Sequence, residues 1–395
     1  MNYEPLSKHI KLVDYRNKDN VTDKVMGINI DKFFMPSVAN VIGTDLSKYK
    51  LISKGLFACN PMHVGRDERL PVALYEDETP AIVSPAYYMF QIIDETILNT
   101  DYLMLWFRRK EFDRICWLKT DGSVRGGITW EDIGRIEVPV PPMEEQLKTV
   151  KAYKTITDRI ELKKQINNNL VETANTLFCQ WFIANHSKKD WAEGYFSDLL
   201  ISTTGGDWGQ EIPKGNYNCK VSCVRGTDIP SLNIGSIADA PTRYILQKNF
   251  DTKKVNANNM IVEISGGSPV QATGRIALVP EQVLTYRGNN IICSNFCRVL
   301  NVNEDYLYFF LQQWLYLYKN GVMFNYENSS TGLKNFNFGA FTEEHTIIIP
   351  PRELSVEFNK ILKPIYEEIF NVGFEIEHLK ATLEHILPHI MAKGI

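Results

Sequence analysis

The sequence predicts an α+β protein made by tandem duplication, in which two mixed α/β domains are separated and followed by long helices that pair as an antiparallel coiled coil with pseudo-twofold symmetry. Three observations predict this fold. The 395 residues exceed the length at which a single hydrophobic core stops growing. A strand-to-helix junction built on a Pro-Pro pair occurs twice. Each junction is followed by an apolar helical pattern far longer than an average helix. The predicted segments are residues 1–141, the first domain; 142–185, the central helix; 190–349, the second domain; and 350–395, the C-terminal helix.

The repeated junction has a physical reason at each position. Alternating β-branched residues, the two-residue period of a half-buried strand, lead into Pro141-Pro142 and into Pro350-Pro351, 209 residues apart. Proline ends a strand ladder because it has no N–H to donate, and it suits the first turn of a helix, where that donor is unused. Glu144 and Glu353 follow where a helix N-terminus favours negative charge. Two such junctions, closing halves of similar length, indicate a duplication.

The two predicted helices differ in the quality of their apolar seams. The second seam runs for about five heptads, the pattern of helix-on-helix packing, whereas Lys163 and Asn167 fall on the first seam. Pro364 and Pro388 predict a kink or late start near 364 and fraying near 388. Neither helix is stable alone with its seam exposed, so each is expected to pair with the other. The alternative, two core helices of one large domain, fits their length poorly. The interface candidates are Leu147, Ile156, Ile160, Leu170, Leu177, Trp181, Leu362, Ile369, Ile376, Leu383 and Ile390.

Each predicted domain contains one short aromatic-rich helix, over Tyr102–Arg114 in the first and Tyr306–Tyr318 in the second. An aromatic stripe at helical spacing is more often core than a surface on which nucleic-acid bases stack. We therefore expect both helices to be buried against their own domain.

Turn-rich polar segments occupy corresponding places in the two domains but differ in sequence, at Asn60–Arg69 and at Ser265–Arg275. Divergent loops on a repeated scaffold suit two readers of different targets, because recognition residues lie disproportionately on loops. Arginine is the commonest bidentate partner of guanine, and asparagine or glutamine of adenine. The resulting candidates for base or phosphate contacts are Arg66, Arg69, Gln271, Arg275, Arg287 and Asn290.

Charge alone gives no support to nucleic-acid binding. The net charge is −4, and residues 1–140 carry 18 basic and 20 acidic groups while residues 191–349 carry 12 and 14. A DNA reader with this balance must concentrate its basic residues on one face, because phosphate contacts supply much of the binding energy.

The seven cysteines include two C-x3-C pairs, Cys219/Cys223 and Cys293/Cys297, which together could form a four-thiolate zinc site. Closed zinc sites usually use tighter C-x2-C knuckles. Cys219, Val221 and Cys223 instead alternate as inward-facing strand positions do. Buried thiols are the favoured interpretation, and no metal site is predicted.

No catalytic signature is present. The sequence lacks a P-loop, an H-E-x-x-H helix and a G-x-S-x-G elbow. Asn60-Pro61-Met62-His63 is partly similar to an amino-methyltransferase motif but lacks its second proline and aromatic residue, so a tight turn is favoured there. The pair His385/His389 is better interpreted as surface or partner-facing than as metal-binding. No apolar run is long enough to span a membrane and no secretory signal is seen, so a cytoplasmic protein is expected.

The whole chain resembles the specificity (S) subunit of type I restriction–modification systems. In the first domain the resemblance rests on Arg16-Asn17, Gly27–Lys32, Tyr49, Phe57–Arg66 and Ser84–Tyr87. In both halves it rests on the Ile/Val–Pro-Pro–x–Glu junction, followed in the first copy by Gln146. In the second copy Arg352 replaces the usual apolar residue, and Leu354-Ser355 replaces Glu-Gln.

The resemblance implies a non-catalytic chain whose two target-recognition domains each read half of a split, asymmetric site in double-stranded DNA. It implies that the paired helices fix the unread gap and dock two methyltransferase subunits, with restriction subunits completing the nuclease. Whole helical turns inserted into residues 147–181 would then lengthen the gap. S-adenosylmethionine, ATP and Mg²⁺ would belong to the partners, and no cofactor to this chain. Two rival classes are an enzyme with a degenerate active site and a scaffold that binds protein.

The DNA-contact candidates are basic, amide and hydroxyl side chains, most of which lie in the turn-rich segments or in the segments that carry the resemblance. They are Arg16, Lys32, Asn60, Arg66, Arg69, Ser84, Arg125, Arg225, Ser265, Ser268, Gln271, Thr273, Arg275, Arg287, Asn290 and Lys334.

Overall fold

One arrangement of strands occurs twice in the computed structural model, which describes residues 3–38, 41–62, 64–120, 126–184, 191–237, 239–266, 270–288, 290–330 and 333–392. The chain divides into two units, Met1–Asp158 with Ala381–Ile395, and Arg159–Lys380. The first unit contains β1 (Tyr3–Pro5), β2 (Ile10–Val13), β3 (Met26–Ile28), β4 (Phe34–Pro36), β5 (Lys50–Ile52), β6 (Phe57–Cys59), α1 (Val64–Asp67), β7 (Val72–Leu74), β8 (Ala81–Val83), β9 (Tyr88–Ile92), α2 (Thr100–Phe107), α3 (Lys110–Leu118), α4 (Trp130–Gly134) and β10 (Glu137–Pro139).

A long helix, α5 (Met143–Phe178), follows the first junction and ends in a π-helical turn at Cys179–Ile183. The elements after it are β11 (Ala192–Gly194), β12 (Leu200–Gly205), β13 (Tyr217–Val224), α6 (Ile229–Leu232), β14 (Thr242–Leu246), α7 (Gln247–Lys253), β15 (Asn259–Glu263), β16 (Ser265–Gly266), β17 (Ile276–Val279), α8 (Glu281–Tyr286), β18 (Ile291–Cys293), β19 (Cys297–Val302), α9 (Leu307–Lys319), β20 (Glu327–Ser330), β21 (Leu333–Phe336), α10 (Phe338–Glu344), β22 (Ile347–Ile349) and α11 (Arg352–Ala392).

The duplication is present in the strand order. Each domain has a four-stranded antiparallel sheet, β2-β9-β6-β7 in the first and β12-β19-β15-β17 in the second. In each, the first strand pairs with the last: β1 with β10, and β11 with β22. The central strands β6 and β15 are buried at every position, as expected of strands covered on both faces, and Phe57, Phe90, Met260 and Leu300 are almost completely buried. The predicted tandem duplication is confirmed at the level of topology.

Both predicted long helices are confirmed, with one correction. Each begins within two residues of its Pro-Pro pair, at Met143 and at Arg352. The late start predicted near Pro364 is wrong, because α11 continues through this residue. Proline has no N–H, so the Lys360 carbonyl lacks the helical hydrogen bond that residue 364 would otherwise donate. Both Lys360 and Pro364 lie on the exposed face of the helix. Water can therefore satisfy that carbonyl, which lowers the cost of the interruption.

Within the second unit, the end of α5 packs antiparallel on α11. The Lys163 ammonium lies 2.9 Å from the Glu375 carboxylate, the Asn167 amide donates to the Ile369 carbonyl at 3.1 Å, and the ring centroids of Phe182 and Phe358 are 4.7 Å apart. Residue numbers fall along α11 as they rise along α5, so the predicted antiparallel pairing is confirmed for these residues.

The interface candidates are buried to different degrees. Ile160, Leu362, Ile369 and Ile376 are buried, whereas Ile156, Leu170, Leu177, Trp181 and Leu383 are half-buried. Leu147 is 50% exposed, so its placement on the seam was wrong. Its neighbours Gln146 and Val150 face the first domain instead. Ile390 lies in α11, but its side chain is outside the described residues.

The two junction helices are anchored by different residues. In the first copy, buried Gln146 accepts from the Asn99 N–H and donates to the Ile97 and Pro141 carbonyls, each at 2.8 Å. The corresponding residue of the second copy, Ser355, is fully buried, and its hydroxyl has no partner among the described residues. One turn later, Asn359 accepts from the Tyr308 N–H at 3.2 Å and donates to the Glu304 carbonyl at 2.8 Å. Both anchors tie the long helix to the start of the domain's aromatic helix.

The aromatic helices belong to the core, as predicted. Tyr102, Trp106 and Phe107 are at most 4% exposed, and Phe309 and Trp314 are completely buried. The single helix predicted over Tyr102–Arg114 is wrong in one respect: it is two helices, α2 and α3. Arg108 caps the first, and the backbone of Arg109 is extended (φ −73°, ψ 141°), which starts a new helix.

The cysteines of the second domain are strand residues facing inward. Cys223, Cys293 and Cys297 are buried and Cys219 is half-buried, in agreement with the predicted alternation along β13. Burial raises the pKa of the Cys223 and Cys297 thiols to about 12, which leaves them protonated and unreactive at neutral pH. No helix within the described ranges is long and apolar enough to cross a membrane.

Candidate nucleic-acid interface

An open groove of about 650 Å³ lies at one edge of the second domain. Its lining residues come from three parts of the chain and from Trp208; they are Arg225–Thr227, then Glu263, Ser265, Gly266, Gln271 and Arg275, and then Ser294–Phe296. Four of the sixteen DNA-contact candidates line it: Arg225, Ser265, Gln271 and Arg275.

The strand pairing brings these segments together. β13 and β18 are parallel neighbours with Val224 opposite Cys293, so the residues that follow each strand, Arg225 and Ser294, meet at the same edge. β15 runs antiparallel to β19 with Glu263 opposite Cys297, which places the end of β15 beside the same turn. Loops at strand ends that converge in this way are where recognition sites usually lie.

Glu263 and Arg275 form a bidentate ion pair on the wall of this groove. The Arg275 Nε donates to Glu263 Oε2 at 2.8 Å, and Nη2 donates to Oε1 at 2.5 Å. The carboxylate side chain is 2% exposed and the guanidinium side chain 12%. The hydrogen bonds that Arg275 donates to the Glu263 carboxylate hold the pKa of Arg275 above its usual value.

Arg225 is held by a second carboxylate, Asp228, one helical turn away. Arg225 Nε and Nη2 donate to the Asp228 oxygens at 3.0 and 2.8 Å, and Nη2 also donates to the Asp239 carbonyl at 3.0 Å. The Arg225 side chain is 40% exposed, so the guanidinium remains at the groove surface.

Two exposed aromatic residues of the groove were missed by the sequence reasoning. Phe296 is 54% exposed and Trp208 is 36% exposed. The Arg243 guanidinium lies 4.3 Å from the Trp208 ring centroid, and its Nε donates to the Trp208 carbonyl at 2.9 Å. Gly206, close in sequence to Trp208, is the one feature that could have pointed to this part of the groove. A Cβ at residue 206 would lie 2.0 Å from the Ser294 carbonyl oxygen, so glycine is required where these two segments approach each other.

Thr273 is a correction among the candidates of the second domain. It is completely buried, and its hydroxyl and amide both donate to the Glu327 carboxylate, at 2.9 and 2.6 Å. Its role is to fix the segment before β17, and a DNA contact is ruled out by its burial.

The other candidates of this domain are accessible to different extents. Gln271 is exposed on the groove, whereas Ser265 donates to the Asn335 side chain at 2.5 Å. Lys334 pairs with Glu327 at 2.9 Å. Arg287 and Asn290 do not line the groove, and they donate to the Ile237 carbonyl at 2.5 Å and the Lys220 carbonyl at 3.2 Å. Ser268 lies outside the described residues.

The first domain carries its candidates on equivalent loops. Val25 forms a parallel bridge with Ile82, so β3 and β8 correspond to β13 and β18. Ser84 follows β8, and its hydroxyl accepts from the Ala86 N–H at 3.3 Å. Asn60 follows β6, and its side chain accepts from the Met62 N–H at 3.1 Å, which confirms the predicted tight turn over its described residues.

Lys32 is a second correction. It follows β3, but its side chain is 4% exposed, with the ammonium 2.7 Å from the Asp113 carboxylate and 5.0 Å from the Phe112 ring centroid. It also donates to the Phe107 carbonyl. Burial lowers the pKa of Lys32, and the pairing with Asp113 opposes that shift. Lys32 is therefore part of the core of the first domain, and its ammonium group is not accessible to DNA.

The remaining basic candidates of the first domain lie at the surface. Arg66 and Arg69 are 56% and 46% exposed and pair with Asp67 and Asp31 at 2.6 and 3.2 Å. Arg16 donates to the Lys48 carbonyl at 2.7 Å and to Asp14 at 2.9 Å. Surface pairs of this kind are weak, so these guanidinium groups can exchange partners for a phosphate. Arg125 lies outside the described residues.

Comparison with known proteins points to one family. The family model described as "Type I restriction modification DNA specificity domain" matches residues 71–172. The chain is 25% identical over 316 residues to the type I restriction enzyme MjaIX specificity subunit of Methanocaldococcus jannaschii, which covers 76% of this chain and 70% of the relative. It is 25% identical over 157 residues to the HindI specificity subunit of Haemophilus influenzae, covering 39% of this chain and 33% of that protein.

A solved structure has the same fold. The crystal structure of a type I restriction–modification S subunit from M. genitalium superposes with a TM-score of 0.55 at 12% identity, covering 98% of this chain and 95% of that chain. At this level of identity the likeness concerns the fold.

Proposed function

We propose that the chain is a specificity subunit of a type I restriction–modification system and that its two domains read the two halves of a split site in double-stranded DNA. The chain acts by binding, in the cytoplasm, and chemistry on DNA is the task of its partners. Sequence-specific recognition needs side chains that reach base edges in the major groove, supported by contacts to phosphate.

The observation that carries the proposal is the groove of the second domain. Two arginines and a glutamine, the residue types that read guanine and adenine, line one open groove at converging strand ends. Exposed Trp208 and Phe296 flank them and offer apolar surface to bases or sugars. Two of the twelve basic residues of segment 191–349, Arg225 and Arg275, line the groove, so the support comes from the types of residue gathered there and not from the charge of the domain.

We propose that two methyltransferase subunits, and restriction subunits in a nuclease complex, assemble with this chain. S-adenosylmethionine, ATP and Mg²⁺ would be held by those subunits. Support for this assembly comes from the comparisons, since the matched relatives are specificity subunits of type I restriction enzymes.

Methylation of the genome tests the proposal directly. Adenine methylation is mapped at single-base precision in cells with the gene intact, deleted, and restored from a plasmid. Loss of methylation at one bipartite motif upon deletion, and its recovery upon restoration, is the expected result. Unchanged methylation in the deletion strain, with the methyltransferase partner expressed, contradicts the proposal.

Two matched variants link the result to the groove. Restoration with Arg225→Ala is expected to lower methylation across all sites, because a phosphate contact is lost. Arg298→Ala changes an exposed arginine of β19 outside the groove, and it is expected to restore methylation fully. If the two variants restored methylation to the same level, the groove would have no role in DNA recognition.

A further inference from the structure

The ion pair between Glu263 and Arg275 leaves one edge of the guanidinium unused. An arginine carries five N–H donors in a fixed planar fork. Glu263 accepts one from Nε and one from Nη2, the donors of the side edge. Arg275 has no other hydrogen-bond partner among the described residues. The two donors of Nη1 and the second donor of Nη2 therefore remain, and they point away from the carboxylate.

Glu263 is itself fixed. Its side chain is 2% exposed, and its carboxylate lies between the backbones of Gly226 and Gly266. A Cβ added to either glycine would lie 2.5 Å from Glu263 Oε1. Both positions therefore need glycine for the carboxylate to stay in place, and a buried carboxylate is strongly disfavoured without its cation. Arg275 is thus oriented before any ligand arrives.

We propose that Arg275 reads a guanine in the half-site of the second domain, with Glu263 as its positioning residue. The free Nη1/Nη2 edge donates to the O6 and N7 atoms of guanine, the two acceptors that the base presents in the major groove. The inference rests on the proposed DNA-reading function and adds to it the identity of one base and the residue that recognises it. Pre-orientation favours this role because less side-chain freedom is lost on binding.

Arg225 differs from Arg275 in the donors that remain. Its Nη2 donates both to Asp228 and to the Asp239 carbonyl, so both hydrogens of that nitrogen are used. Only Nη1 is left, and the end of the guanidinium cannot make two parallel hydrogen bonds to one base. A single charged donor at the groove surface suits a phosphate oxygen, which carries no sequence information.

The test compares methylation motifs of otherwise identical cells whose only specificity subunit is the wild type, Arg275→Lys or Arg225→Lys. Lysine at 275 keeps the charge beside Glu263 but lacks the fork, so the domain should still fold. The expected result for Arg275→Lys is loss of discrimination at one G·C pair of the motif by roughly tenfold to a hundredfold. Arg225→Lys is expected to leave every base preference unchanged.

Two further variants separate positioning from folding. Glu263→Gln keeps the shape of the side chain but removes its charge, and it is expected to weaken preference at the same G·C pair and at no other. Arg298→Lys is the matched control at an exposed arginine outside the groove. Thermal unfolding of each purified complex checks that the variants are folded.

The outcomes are distinguishable. If Arg275→Lys, in a folded complex, loses base preference at an A·T pair or leaves the motif unchanged, the guanine assignment is overturned. The proposed DNA recognition is unaffected by either result. If Arg275→Lys loses preference at the G·C pair while Glu263→Gln has no effect on it, Glu263 is not a positioning residue. A wild type that directs no methylation motif overturns the proposed function, and the assignment with it.

Discussion

The two Pro-Pro junctions perform one structural task with different side chains. Gln146 anchors the first long helix through three hydrogen bonds, whereas its counterpart Ser355 is buried without a partner among the described residues, and Asn359 makes the equivalent bonds one turn later. A serine hydroxyl is too short to reach the groups that a glutamine amide reaches. Both halves therefore keep a hydrogen-bonded attachment between the long helix and the start of the aromatic helix. The residue that makes this attachment lies one turn later in the second half.

Each domain holds a buried ion pair, but the two pairs lie in different surroundings. In the first domain Lys32 and Asp113 pair inside the core, among aromatic side chains. In the second domain Glu263 is buried, but its partner Arg275 lines the groove. One pair stabilises its domain, and the other presents a cation to a ligand. The following changes test these differences in order of expected effect.

The largest effect is expected for Asp113→Ala in the first domain. It leaves the Lys32 ammonium buried without a counter-charge and removes the acceptor of the Leu70 N–H. Loss of about 3–5 kcal/mol of stability is expected. Hydrogen exchange of β6 and β7 in increasing urea measures it, while β15 and β17 report the unaffected domain. Asp31→Ala removes the exposed pair with Arg69 and is the control, with an expected effect below about 1 kcal/mol. Similar losses for the two variants would contradict a structural role for Lys32.

Gln146→Ala is expected to have the next largest effect. It leaves the Asn99 N–H and the Ile97 and Pro141 carbonyls without their partner, which amounts to about 3 kcal/mol at roughly 1 kcal/mol for each group. Protection of α2 and the first turns of α5 against hydrogen exchange measures the loss. Leu147→Ala, at the exposed neighbouring position, is the control and should be within about 0.5 kcal/mol of the wild type.

Asn359→Ala is expected to cost less than Gln146→Ala, about 1–2 kcal/mol, because the carbonyls that it serves are partly reached by water. Protection of α9 and of the start of α11 is the measurement. If this variant were neutral while Gln146→Ala was damaging, the two residues would not be equivalent anchors.

Ser355→Ala should have the smallest effect. Its hydroxyl is buried without a partner among the described residues, so replacing it removes a polar group that gains nothing from folding. The variant is expected to be as stable as the wild type or more stable by up to about 1 kcal/mol. A clear loss of stability in the same hydrogen-exchange experiment would mean that Ser355 has a partner of its own.

Much of the fold followed from local pattern. The Pro-Pro junctions, the alternation of Cys219, Val221 and Cys223, and the aromatic helices depend on neighbours in sequence, and the structure confirmed them. The break at Arg109 was not predicted because its extended backbone leaves no compositional mark. The sequence left a kink or a late start open at Pro364, because the effect of that proline depends on which face of the helix meets water.

The candidate groove could be predicted only in part. Residue type selected Arg225, Gln271 and Arg275, but also Lys32 and Thr273, which tertiary packing buries. Side-chain chemistry alone does not distinguish an arginine that faces a groove from a lysine that faces a core. That difference lies in the long-range pairing of strands, such as β13 with β18 and β15 with β19, which brings distant loops to one edge.

The pairing of first and last strands has an evolutionary consequence. Tyr3 lies opposite Pro139 and Ala192 opposite Ile349, so the polypeptide enters and leaves each domain through adjacent strands. A segment bounded in this way can be exchanged between related genes by two crossovers, one in each bounding strand, without disturbing the helices outside it. New DNA preferences can then arise by recombination of whole domains, while the sequences of the two long helices are inherited unchanged.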